Sequence, residues 1–132
     1  MRLTDEWFEA QFYGEATAKG HRYLPSIEGA QGLFLWCPCG YGKAEFPLDG
    51  GRPHGVMVPF STPRNAPELP SDHGPQSAAN PDGPRPRWAM TGTSLEDLST
   101  TPSVAVGGRP AQGDKPAVPP CWHGYITGGE VT

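Results

Sequence analysis

The sequence predicts a mainly β fold, a single domain over residues 1–132, with a small α+β domain as the nearest alternative. Three observations carry that prediction. Large apolar residues gather at 3–13, at 33–36 with 46–60, and at 118–126, in runs short enough for strands. Between them, 18 Gly and 17 Pro build turns, which leaves the 132 residues with the effective core of a much smaller protein. Finally, all three cysteines fall in closely spaced Cys-x-Cys or Cys-x-His pairs, the kind of staple a small core calls for.

Residues 4–13 read as a short N-terminal helix, capped by Thr4 or Asp5, with Leu3, Trp7 and Ala10 on one face; the aromatic density of WFEAQFY also suits a strand. Gly32–Trp36 is an apolar, aromatic strand that runs directly into Cys37-Pro38-Cys39-Gly40. The alternation of Ala44, Phe46 and Leu48 suggests a returning strand, and His54–Phe60 another after the turn at Asp49-Gly50-Gly51. Residues 61–86 hold recurrent prolines and one large apolar residue, Leu69, so a proline-rich loop or tether is expected there. Trp88–Met90 resumes order, Thr93–Asp97 offers one helical turn, and Ser103–Val106 reads as a strand ending at Gly107-Gly108. After a second Pro/Gly loop, Cys121–Thr127 alternates as a strand, with a turn at Gly128-Gly129 and Val131 beyond.

The formal charge is −4 and the ten basic residues are scattered, so the clustered stripe that duplex nucleic acid requires is missing. No apolar run reaches a membrane-spanning length, and MRLTDEWFEA lacks the apolar region of a signal peptide. Three cysteines cannot all pair with one another, which argues against a disulfide framework and for a reducing compartment.

The two motifs that carry chemistry are Cys-Pro-Cys-Gly at 37–40 and Cys-Trp-His at 121–123. Zinc takes about four soft or borderline ligands in a tetrahedron, and Cys37, Cys39, Cys121 and His123 form such a set. Residues i and i+2 of a strand share a face, so Cys121 and His123 could converge, while Gly40 and Gly42 free the 37–39 turn to fold around an ion. The resulting clamp would close more than eighty residues of chain. Trp36 and Trp122 adjoin it and would shield it; Trp7 and Trp88 are expected in the core. His21, His54 and His73 stand alone and read as surface or loop histidines. A full ligand set favours a structural zinc over a catalytic one, and the deaminase and His-Glu-x-x-His signatures are missing. Two enzymatic readings compete. One is a small zinc-dependent hydrolase with Glu45, Glu130 or Asp97 as acid/base; the other is a Cys121 thiolate activated by His123 or His54.

With WCPCGYG at 36–42, WAMTGTSLEDLSTTPSV at 88–104 and CWHGYITGGEV at 121–131, the chain resembles a family of small uncharacterised phage and prophage proteins. Their shared pattern is a Cys-Pro-x-Cys-Gly or Cys-Pro-Cys-Gly turn, a Trp ahead of a Pro-Ser-hydrophobic strand, and Cys-x-His or Cys-His before a Gly-turn strand. The likeness covers residues 33–48 and 87–131. It implies a phage or prophage origin and a metal-dependent fold, without an established activity. The expected role is a non-enzymatic, zinc-stabilised phage accessory protein that meets a protein partner, a virion component or a host protein, in the host cytoplasm or the virion.

Overall fold

The computed structural model of the chain describes residues 1–41 and 54–132. It is mainly β, built from two four-stranded antiparallel sheets. The first contains β1 (Gln11–Thr17), β2 (Gly20–Leu24), β3 (Gly32–Trp36) and β4 (Gly55–Pro59), in the order β2-β1-β3-β4. The second contains β5 (Ala89–Thr91), β6 (Ser99–Val106), β7 (Trp122–Thr127) and β8 (Glu130–Val131), in sequential order. A parallel bridge between Phe60 and Trp88 links the end of one sheet to the start of the other.

Alternation explains how the strands feed one core. Leu33 and Leu35 on β3, with Val56 and Val58 on β4, point to the same side, while Phe34, Trp36 and Met57 between them are only partly covered. From the second sheet, Met90, Val104, Ile126 and Val131 join the same buried cluster, together with Leu3, Phe8 and Leu98 from the connections. The chain start completes it: Leu3 N–H donates to the Gly129 carbonyl at 2.7 Å, and Val131 N–H to the Met1 carbonyl at 2.7 Å.

The N-terminal helix is replaced by a 3-10 turn over Glu6–Phe8 and by β1. Glu9 closes that turn in the left-handed region at φ 46°, and Phe12 then pairs with both Leu24 and Leu33, so tertiary pairing overrides local propensity. Residues 93–97 form a turn, not a helix. The Asp97 carboxylate accepts from the backbone N–H groups of Thr93 at 2.8 Å and Ser94 at 2.9 Å. The proline-rich loop has no regular element, yet it is tied down. Leu69 is buried, the Pro67 carbonyl accepts from Gln31 Nε2 at 2.9 Å, and the Pro70 carbonyl accepts from Arg87 at 3.0 Å. The returning strand expected at 44–48 and its turn at 49–51 lie outside the described residues. Among the described residues no helix is long and apolar enough to cross a membrane.

Candidate metal centre

Cys37 follows β3 directly, and the antiparallel register of β3 with β4 pairs Trp36 with Gly55. That register sets residue 54 beside residue 37, and Cys37 N–H donates to the His54 carbonyl at 3.0 Å. Pro38 then opens a 3-10 turn over Pro38–Gly40, a position where its fixed φ suits the turn and its missing N–H goes unneeded. Two hydrogen bonds hold this turn, Gly40 N–H to Cys37 O at 3.2 Å and Tyr41 N–H to Pro38 O at 3.0 Å. Cys39 is thereby swung back toward Cys37. From the second sheet, Cys121 sits at the bend preceding β7, fixed to β6 by its N–H to the Val106 carbonyl at 2.9 Å.

These four residues converge. One ligand atom from each of Cys37, Cys39, His54 and Cys121 lies within 4.8 Å of all the others. Cys37 Sγ and Cys121 Sγ are 3.6 Å apart, Cys121 Sγ and His54 Nε2 3.4 Å, and Cys39 Sγ and His54 Nε2 3.8 Å. Tetrahedral zinc with its usual bond lengths would place two sulfurs roughly 3.8 Å apart and a sulfur and a nitrogen roughly 3.6 Å apart. The three distances match edges of that tetrahedron. A disulfide needs its sulfurs at about 2.05 Å, so the 3.6 Å pair is two free thiols. The arrangement is a Cys₃His cluster able to hold a metal ion.

Burial pushes the Cys37 thiol far above its ordinary value; the Cys39 backbone N–H opposes the rise, while the Cys39 and Cys121 thiols add to it. Burial raises Cys121 as well. Thiolates here are therefore costly without a compensating charge, and a divalent cation among them reverses that balance. Cys37 is fully buried, Cys39 intermediate, and His54 and Cys121 exposed, so the cluster lies at the edge of the core with one side open to solvent.

Three of the four expected ligands meet here; His123 does not. It pairs across the ladder with Ala105, and its Nε2 lies 2.9 Å from Ser103 Oγ. The i, i+2 rule holds only inside a pleated strand, and β7 begins at Trp122, so Cys121 in the bend and His123 in the strand have no reason to share a face. His54, read from the sequence as a lone loop histidine, takes the fourth corner. The signal was present: strands at 32–36 and 54–60 paired as antiparallel neighbours put residue 54 opposite residue 37.

The indole N–H groups of the two tryptophans beside the ligands have partners of their own. Trp36 Nε1 donates to Glu9 at 2.6 Å and Trp122 Nε1 to the Thr132 carbonyl at 3.1 Å. Trp88 is buried in the core as expected, and Trp7 packs partly buried against it. Of the carboxylates considered as acid/base partners, Glu130 pairs with Arg2 at 3.0 Å and Asp97 serves its own turn. Glu45 lies outside the described residues. No protein-family model, curated protein or solved structure matches the chain.

Proposed function

We propose that the chain is a non-enzymatic phage accessory protein whose fold is fastened by one structural zinc ion, held by Cys37, Cys39, His54 and Cys121. The observation that carries the zinc reading is the tetrahedral spacing of one nitrogen and three sulfurs contributed by both sheets. Four protein donors fill zinc's coordination, and Asp97 and Glu130 are engaged elsewhere, which supports a closed site over a hydrolytic one. The phage assignment rests on the sequence resemblance alone. The partner in this reading is a protein, a virion component or a host protein. The surface offers aromatic side chains to it, Tyr23 at 48% and Tyr125 at 55% exposed.

The ligand set is tested by metal analysis of purified protein. His54→Ala is expected to lower the zinc content from one equivalent to a small fraction, whereas His123→Ala retains it. Cobalt(II) substitution adds a readout independent of stability, since its visible absorption reports thiolate number and tetrahedral geometry. Full zinc retention by His54→Ala together with loss in His123→Ala would return the site to the ligands expected from the sequence. The accessory role is tested by affinity capture from infected cells alongside mass spectrometry of purified virions. Recovery in virions identifies a virion component, and capture of a host protein by non-virion chain identifies a host-directed one. Zinc-dependent turnover of ester or peptide substrates would overturn the non-enzymatic reading.

A further inference from the structure

Tyr13 on β1 alternates with Phe12, so its side chain lies on the outer face of the first sheet, outside the buried cluster that the two sheets share. It is nevertheless fully buried. Two histidine rings pack against it. His21 of β2 lies at 4.7 Å between ring centroids, His73 of the proline-rich loop at 5.8 Å, and the two imidazoles are 6.0 Å apart. The backbone of the His73 turn is braced by cations. His73 N–H donates to the Pro70 carbonyl at 2.9 Å, which also accepts from Arg87 at 3.0 Å, and the Gly74 carbonyl accepts from Arg85. On the ring itself, Nε2 is buried with no hydrogen-bond partner among the described residues, as is the Tyr13 hydroxyl. A neutral imidazole tolerates this, since Nε2 can stay a bare acceptor. A charged one does not: Nε2 then carries a proton with no acceptor, in a site shared with His21 and the Arg87 guanidinium.

We propose that His73 is a pH-operated clasp, whose protonation frees the 70–74 turn of the proline-rich loop from the first sheet and uncovers Tyr13. The groups facing the ring set the sign. Burial, then His21 and Arg87, hold its proton affinity below the ordinary value of 6.5, against the opposing pull of the Thr17 carbonyl and the Asp72 carboxylate. Tyr13 stays neutral throughout, because burial raises its hydroxyl. Once released, the imidazole meets water and takes the proton more readily. Closure is therefore complete above 6.5, and it is lost as pH falls through that value and the lower one of the closed form. Neither histidine is a donor of the metal cluster, so the clasp stands or falls independently of it.

The test follows hydrogen exchange over residues 68–76 of the full, zinc-supplemented chain from pH 7.5 to pH 5, corrected for the intrinsic pH dependence of exchange. Protection there is expected to fall several-fold while the amides of β6 and β7 keep theirs. His73→Phe keeps a ring against Tyr13 and cannot take a proton, so its protection is expected to stay flat. The metal donors are the same in both proteins, so acid loss of the ion cancels in the comparison. Unchanged protection in the unsubstituted chain, a fall shared by β6 and β7, or an equal fall in His73→Phe would each overturn the proposal. Should His73→Phe fail to fold, an NMR titration of the His73 ring in the unsubstituted chain decides it. A midpoint below 6.5, with the Tyr13 ring signals moving in step, upholds the clasp. A midpoint at or above 6.5, or Tyr13 signals that stay in place, rejects it.

Discussion

Tyr13 is fully buried, and its ring leaves no space over Gly32: a Cβ built there would come within 2.3 Å of the phenol carbon and oxygen. Burial also pushes the Tyr13 hydroxyl upward, so the phenol stays neutral. Gly32→Ala is therefore expected to cost about 1–3 kcal/mol, read as a lower urea midpoint with an unchanged slope. The same close fit governs the metal cluster, where the identity of each donor was unequally visible in the sequence. The three cysteines announced themselves by spacing. His54 did not, because its neighbour Cys37 is brought to it by strand register across a connection, and a single histidine carries no periodic signal. His123 looked better in sequence than in space because parity along a strand fails at the bend before β7.

At the level of elements, strands bounded by glycine and proline were readable, since turn chemistry and alternation are local. β3, β4 and β7 lie close to where those signals put them, whereas β6 begins at Ser99, four residues before the strand expected at 103–106. β1 and β2 were hidden: the helix expected over 4–13 runs into the start of β1, where the aromatic residues suit a strand as well, and only pairing of β1 with β2 and β3 decides. The 93–97 turn shows the same limit. Residues 93–97 read as one helical turn, but the Asp97 carboxylate turns back onto Thr93 and Ser94 instead of starting a helix. Those backbone donors, Thr93 first, hold the Asp97 carboxyl below its ordinary value of 3.8. Since the folded state binds the proton less readily than the unfolded chain, the turn's stabilisation is complete above that ordinary value. It is lost as pH falls through the lower folded one. Asp97→Asn is expected to flatten this acid-limb loss, measured by thermal melts of both proteins from pH 6 down to pH 3.

For the whole molecule, the decisive contact joins Cys37 to Cys121, 84 residues apart. Closing a loop of that length restricts the unfolded chain by about 4–5 kcal/mol in the chain-entropy treatment of a covalent cross-link. A metal ion held by the four donors would act on the same loop. Chelation of zinc is expected to lower the melting temperature by on the order of 10 °C or more, and re-addition to restore it. A melting curve insensitive to chelator would show that the shared core of the two sheets holds by itself. The mainly β architecture was legible because it follows from many local signals. How the two sheets meet was not, because it depends on pairings such as Phe60 with Trp88 that no short stretch of sequence encodes.

The four donors are unevenly distributed along the chain. Cys37, Cys39 and His54 fall within 18 consecutive positions, and Cys121 follows only after the whole proline-rich loop, β5 and β6. During synthesis, three donors emerge together and can capture an ion loosely, long before the fourth exists. With a metal in the cluster, the last thiol would act as a latch that closes on a pre-loaded site. Assembly of the second sheet and tightening of the ion would then become a single late event, whose rate is set by how quickly a distant bend finds its place beside the first hairpin.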